Sequence, residues 1–271
     1  MVNTTQIELS DEALVTAIRA NLCDFYRHLS RHLPEEHFED AKFTRWCSAL
    51  EHPWFNGVLS SRTPEESDET FIEETLRYFR SKEVGAFTWW MEPQIKASDW
   101  KPLLSKHGFG FSDDTPGMAA DLQALTESMQ TVDGLEVRAV TDEESLQMWA
   151  HVFVSGYDLP PAWETPVYDL WRKLGLGFPM QNYLGLLNGE PVATSCLFLG
   201  GGAAGIYSVA TLPTARGKGI GAALTLKPLQ AARDMGYRIG VLQSSEMGYG
   251  VYKRLGFRHL CQIENFYRAV R

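Results

Sequence analysis

Apolar positions along the first third of the chain fall on a helical period. Leu14, Ile18, Leu22, Phe25 and Leu29 share one face, which predicts a helix from Asp11 to His32. Ser60-Ser61-Arg62-Thr63-Pro64-Glu65-Glu66 reads as a loop, followed by a helix to about Arg80 with Ser67 or Asp68 as its cap. Gly85 to Met91 is aromatic and strand-like, and Ser98 to His107 reads as a short helix closed by Gly108. The polar stretch from Thr126 to Gly134 marks a boundary.

Beyond it the pattern alternates between periods of two and 3.6. A strand (Leu135 to Val140) leads into a helix opened by Thr141-Asp142-Glu143-Glu144, a capping-box signature, and a second helix spans Pro161 to Leu174. Two strands, Gln181 to Leu187 and Pro191 to Leu199, flank Asn188-Gly189-Glu190, where the Asn-Gly pair signals a hairpin turn. A strand to Ala210, a glycine-dense loop and a helix to Met235 follow. Gly236 caps that helix, and the rest is a strand from Tyr237 to Gln243, a short helix ending at Leu255-Gly256, and a strand from Phe257 to about Ala269. The class is α/β (α+β), with a mostly antiparallel sheet flanked by helices.

At 271 residues there is room for two modest domains, divided as 1–128 and 134–271, and 44% hydrophobic content supplies real cores. Leu104-Ser105-Lys106-His107-Gly108-Phe109 echoes Tyr252-Lys253-Arg254-Leu255-Gly256-Phe257, as two diverged copies of one unit would. A net charge of −9 disfavours a nucleic-acid binder. Cys23, Cys47, Cys196 and Cys261 are scattered without metal-ligand spacing, so no metal is expected and reduced thiols are. No stretch reaches the roughly 18 apolar residues of a membrane span, and the expected location is cytoplasmic.

Arg216-Gly217-Lys218-Gly219-Ile220-Gly221 joins a strand to a helix N-terminus. Such a turn can cradle a phosphate through backbone N–H groups, with the helix dipole adding partial positive charge. The bland alternative is a glycine turn with solvated basic side chains. Lys218 precedes Gly219 with no adjacent hydroxyl, which excludes a standard Walker loop, and the Gly-x-Gly-x-x-Gly spacing of a dinucleotide fold is absent.

Residues 134 to 271 resemble the GCN5-related N-acetyltransferase (GNAT) superfamily. Arg216, Gly219 and Gly221 match its Arg/Gln-x-x-Gly-x-Gly/Ala signature, and Val251-Tyr252-Lys253-Arg254-Leu255-Gly256-Phe257 is similar to its Tyr-x-x-Leu-Gly-Phe segment. The first half looks like a degenerate copy, lacking the loop and carrying Leu104 where Tyr252 stands. The resemblance implies two GNAT-like domains in tandem, with the first non-catalytic.

It further implies an acyltransferase that moves an acetyl or other short acyl group from acetyl-CoA, or another acyl-CoA, to a primary amine by direct attack in a ternary complex. A non-catalytic acyl-CoA-binding sensor or interaction module on the same fold is the alternative. Backbone groups of Val209, Ala210 and Thr211 would pair with the pantetheine arm, and those from Gly217 to Ala222, Ile220 included, would hold the pyrophosphate beside Arg216 and Lys218. Tyr252 would protonate the leaving thiolate. Ser245 stands where many members carry a cofactor-contacting asparagine, a departure that shortens its reach. Glu246 is the leading candidate for general base, with Asp158, Glu164 and the backbone around Ser208 as rivals. Trp149 and Phe153 read as core, whereas Tyr157, Asp158 and Trp163 are candidate acceptor contacts whose rings and carboxylates would suit a cationic amine. The acceptor's identity and the oligomeric state stay open.

Overall fold

The computed structural model describes residues 9–33, 37–48, 50–125 and 132–270. Most of the expected boundary at Thr126–Gly134 lies outside them. Among the described residues, no helix is long and apolar enough to cross a membrane.

In the first half, α1 (Asp11–Arg31) precedes β1 (Phe38–Glu39), β2 (Phe43–Trp46), a 3-10 turn (Pro53–Phe55) and β3 (Gly57–Ser60). Then come α2 (Asp68–Ser81), β4 (Ala86–Met91), α3 (Ala97–Lys106) and β5 (Gly110–Asp121). The second half runs β6 (Leu135–Ala139), α4 (Glu143–Gly156), α5 (Glu164–Leu174), β7 (Met180–Leu187), β8 (Glu190–Gly200) and β9 (Ala203–Thr211). It ends with α6 (Ile220–Asp234), β10 (Ile239–Gln243), α7 (Glu246–Leu255) and β11 (Arg258–Ala269).

Local chemistry sets many of these boundaries. Ser10 caps α1, its hydroxyl oxygen accepting from the Ala13 N–H, and Asp11 and Glu12 fill the first turn. Asp142 caps α4 in a reciprocal box with Ser145. Asn188 (φ +53°) and Gly189 (φ +88°) form the left-handed pair that the tight β7–β8 hairpin requires. Ser67 makes no capping bond. Asp68, one residue on, turns its carboxylate back to the Glu65 N–H at 2.8 Å instead.

Among the described residues, eleven strands join one sheet, in the order β1-β2-β3-β4-β11-β5-β10-β9-β8-β7-β6. Pairing is antiparallel except for β3/β4 and β9/β10. Each half lends the other a strand. β5 lies between β10 and β11, and β11 lies between β4 and β5. The two halves therefore interlock through main-chain hydrogen bonds in the middle of the sheet.

Sequence pattern passes over β5, because Asp113, Asp114 and Pro116 are poor strand formers. Partners on both edges impose the conformation, with Pro116 opposite Gln262 and Met118 opposite both Leu242 and His259.

Helix α1 completes the interlock. One apolar cluster runs from Leu14, Ile18 and Leu22 through Trp149, Phe153 and Phe198 of the second half. Asn21, fully buried on that apolar face, donates from Nδ2 to the carbonyls of Gly200 (2.8 Å) and Ala203 (3.0 Å). It accepts from the Tyr207 hydroxyl at 2.7 Å. The Gly201 N–H donates to Asp24 at 2.8 Å. A helix of the first half thus closes the β8–β9 turn of the second. An unpaired amide there would cost roughly 1–3 kcal/mol, so these bonds fix how α1 is seated.

Candidate active site

β9 and β10 start as a parallel pair, with Ala204 opposite Gly240 and Ile206 opposite Leu242. Pairing stops there, although β9 continues to Thr211. A bulge parts them: the β8–β9 register shifts between Thr194 and Cys196, and Ser208 takes φ +53°. The Thr194 hydroxyl donates to the Ser208 carbonyl at 2.9 Å and holds the kink. Beyond it, Val209, Ala210 and Thr211 have lost β10 as a neighbour, while Ala210 and Thr211 stay paired with β8.

The glycine loop lies at the end of that wedge. Gly217 (φ +77°) and Gly219 (φ +84°) are left-handed, which a side chain would strain. Gly219 is the N-cap of α6, and no side chain caps this helix. The Ala222 N–H already donates to the Gly219 carbonyl at 3.1 Å, which leaves the Ile220 and Gly221 N–H groups at the helix start for an anion or water. A Cβ on Gly217 would meet nothing within 4 Å, so the space in front of the turn is open.

Arg216 is exposed, but its guanidinium is spent inward. Nε donates to the Thr211 carbonyl at 3.0 Å and Nη2 to the Gly156 carbonyl at 2.9 Å. It fixes the loop to the end of α4 instead of reaching toward a ligand. Lys218 is exposed at the same turn, and Ala222 is buried in the first turn of α6.

A cavity of about 740 Å³ opens where the strands part. Ser208 and Val209 of β9, Ser244, Ser245 and Tyr252 line one side of it. Tyr252 projects from α7 and is nearly buried. A Cβ on Gly248 would lie 2.7 Å from the Tyr252 ring, so the glycine one turn earlier makes room for it. Burial pushes the phenol up to about 12, opposed by a hydrogen bond with Thr225. It holds its proton throughout the neutral range.

Tyr157, the C-cap of α4, lines the same cavity and donates its hydroxyl to the Val209 carbonyl at 3.1 Å. Its pKa is raised as well, by burial first and then by Tyr252. Ser245 caps α7, accepting from the Gly248 N–H at 3.2 Å, so its side-chain oxygen already serves the helix.

The other expected residues lie elsewhere. Glu246 is exposed in the first turn of α7 and Asp158 is exposed after α4; neither lines the cavity. Glu164 pairs outward with His151 at 2.9 Å. Trp163 is half-buried and packs edge-on to His52, 6.1 Å between ring centres, outside the cavity wall. The expected wall of rings and carboxylates is therefore only half present: rings are there and carboxylates are not. Trp149 and Phe153 are buried core, and Phe153 also reaches the cavity.

What the sequence reading missed is the opposite wall, which comes from the first half. Phe25 and Tyr26 of α1, Trp54 and Phe55 of the 3-10 turn, Trp90 of β4 and Phe111 of β5 face the tyrosines across the cavity. The available signal was the aromatic density of the strand-like run from Gly85 to Met91, which holds Trp90, but only the tertiary fold brings it here. Among the described residues, no three His, Cys, Asp or Glu side chains gather as a metal site. The cysteines form no disulfide.

The fold is shared by known proteins. Residues 146–257 match the sequence model of the acetyltransferase (GNAT) family. The fold is similar to a GCN5-related N-acetyltransferase from Kribbella flavida, with TM-score 0.62 and 16% identity over 90% of this chain and 93% of that one. It is similar to a GCN5-related N-acetyltransferase from Sphaerobacter thermophilus, with TM-score 0.60 and 16% identity over 86% and 78% of the two chains. A tandem GNAT protein from the clavulanic acid biosynthesis pathway superposes with TM-score 0.53 and 15% identity, over 79% and 75%. No curated protein matches the chain. Residues 146–257, which match the acetyltransferase (GNAT) family model, hold the parted strands, the glycine turn and Tyr252.

Proposed function

We propose that the protein transfers an acetyl or other short acyl group from acyl-CoA to a primary amine, by direct attack within a ternary complex. One observation carries this reading: the freed backbone of β9 and the buried phenol of Tyr252 open onto the same cavity. The uncapped α6 N-terminus would hold the pyrophosphate, and Val209, Ala210 and Thr211 would pair with the pantetheine arm. The amine nitrogen forms a bond to the thioester carbonyl carbon, the C–S bond breaks, and Tyr252 gives its proton to the departing sulfur. The phenol keeps its proton across the neutral range, so the donor is in place as the C–S bond breaks.

The division of labour follows. Residues 134–271 would carry the chemistry, and residues 1–128 would supply a wall and no reacting group. Coenzyme A should raise the melting temperature of the full chain, because a ligand bound by the folded state alone stabilises it. Acetyl-CoA with a suitable amine should release free thiol. Absence of the thermal shift removes the cofactor assignment. A shift without thiol release from any amine replaces the enzyme by an acyl-CoA binder.

A further inference from the structure

We infer that the acceptor is an uncharged aromatic amine: a primary arylamine carrying neither a carboxylate nor a second ammonium group. This rests on the acyl-transfer reading of the same cavity and specifies what enters opposite the thioester.

The wall chemistry points there first. A dozen of the lining side chains are phenylalanine, tyrosine or tryptophan, drawn from both halves of the chain. The remaining polar members are neutral, chiefly Thr88, Ser112, Asn265, Gln243 and Ser244. Among the described lining residues there is no Asp, Glu, Lys, Arg or His. Nearby carboxylates are engaged outside it: Glu92 pairs with Arg27, Asp24 accepts from Gly201, and Glu164 pairs with His151. An alkylammonium or a carboxylate would be stripped of water against such a wall with no opposite charge to meet it. A flat neutral ring would instead replace water with ring contacts.

Proton chemistry agrees. An alkylamine is protonated at neutral pH and must lose that proton before it can attack. Glu246 and Asp158 lie off the wall and cannot take it. An arylamine, whose lone pair is delocalised into its ring, is already neutral and needs no such base. When it attacks, the C–N bond forms and the C–S bond breaks. Tyr252 protonates the sulfur, the excess proton on nitrogen passes to water at the open mouth, and Tyr252 recovers its proton from water. Arylamine and acetyl-CoA become N-acetylarylamine and coenzyme A with atoms and charge balanced.

The mouth fits the same guest. Trp54 and Tyr267, 45% and 44% exposed, are large hydrophobic side chains on the rim, one from each half. Trp54 stands edge-on to Tyr157 at 5.5 Å, leaving an aromatic path from the rim to the β9 backbone. A volume of about 740 Å³ holds a fused bicyclic ring as well as the acyl end of the cofactor.

The test uses the full chain, acetyl-CoA and a thiol-release assay. p-Anisidine and 2-naphthylamine are compared with 4-aminobenzoate, lysine and spermidine. The arylamines should show kcat/KM at least about tenfold above the charged amines, the scale of one well-placed aromatic contact. Their rate should stay level from mildly acid to mildly alkaline pH. Trp54→Ala should raise KM for 2-naphthylamine several-fold while leaving the coenzyme A thermal shift in place. Higher kcat/KM for lysine or spermidine than for both arylamines overturns the acceptor class and leaves acyl transfer standing. Thermal stabilisation by coenzyme A without thiol release from any amine overturns the acyl-transfer reading, and this inference falls with it.

Discussion

Two strand-helix-strand units of this molecule, β3–α2–β4 and β9–α6–β10, each place a parallel pair beside a connecting helix. Only one is open. β3 stays paired with β4 along its whole length, from Gly57 opposite Thr88 to Ser60 opposite Met91, and the Glu92 N–H continues the ladder to the Ser60 carbonyl. β9 leaves β10 after Ile206 because the Ser208 bulge bends it away. The helix starts differ in the same sense. At α2 the chain supplies its own anion: the buried Asp68 carboxylate accepts from Arg62 at 2.6 Å and from the Glu65 N–H at 2.8 Å. Neither helix has a side-chain cap, and α6 has no carboxylate in its first turn. One turn is filled from within and is structural; the other is left for something from outside.

The largest expected effect breaks the filled turn. Asp68→Ala removes the buried carboxylate that accepts from the Arg62 guanidinium and the Glu65 N–H, and should cost about 3 kcal/mol of stability in urea unfolding. The coenzyme A thermal shift should persist in size. Its loss would mean that the two turns are coupled.

Removing the acid acts on the open unit alone. Tyr252→Phe should lower kcat about 10²-fold, near 2.7 kcal/mol, with the thermal shift kept. In the wild-type chain the alkaline limb due to this phenol should lie near pH 12, since its pKa is raised and the proton donor is lost only above that value. A limb near pH 10 would place the phenol in water.

Gly219→Val puts a branched side chain at φ +84°. A loss of about 1–3 kcal/mol is expected, with the coenzyme A shift abolished. Retention of the shift would show that the α6 turn does not hold the pyrophosphate.

The smallest effect tests how α1 sits between the two units. His28 packs against His32 and Phe198, and burial, reinforced by the His32 ring, lowers its pKa to about 4. Its depressed folded value means that the unfolded chain takes up the proton first. Stability should hold above about pH 6.5 and fall as pH drops from there through 4. Melting temperature against pH checks this, and His28→Gln should flatten that part of the curve.

Much of the second half was legible in sequence because its signals are local. The Asp142 box, the Asn188-Gly189 turn, the left-handed Gly217 and Gly219 and the Tyr252 segment each act within a few residues. Asn21 shows what was hidden. A polar residue on the apolar face of α1 is anomalous in one dimension, and its three acceptors lie some 180 positions away. Glu246 looked catalytic by nearness in the chain, with Asp158 as a rival. Both are exposed and neither lines the cavity, Glu246 in the first turn of α7 and Asp158 at a left-handed turn after α4.

The sequence by itself determined the helices, the hairpin and the glycine turn, since short-range sterics and hydrogen bonding specify those. Tertiary structure alone decided the exchange of β5 and β11, the seating of α1 across both halves and the aromatic wall that the first half contributes. Those features rest on pairing and burial between residues far apart in the chain. No local pattern records which edge a strand will join, or which rings will meet across a cavity.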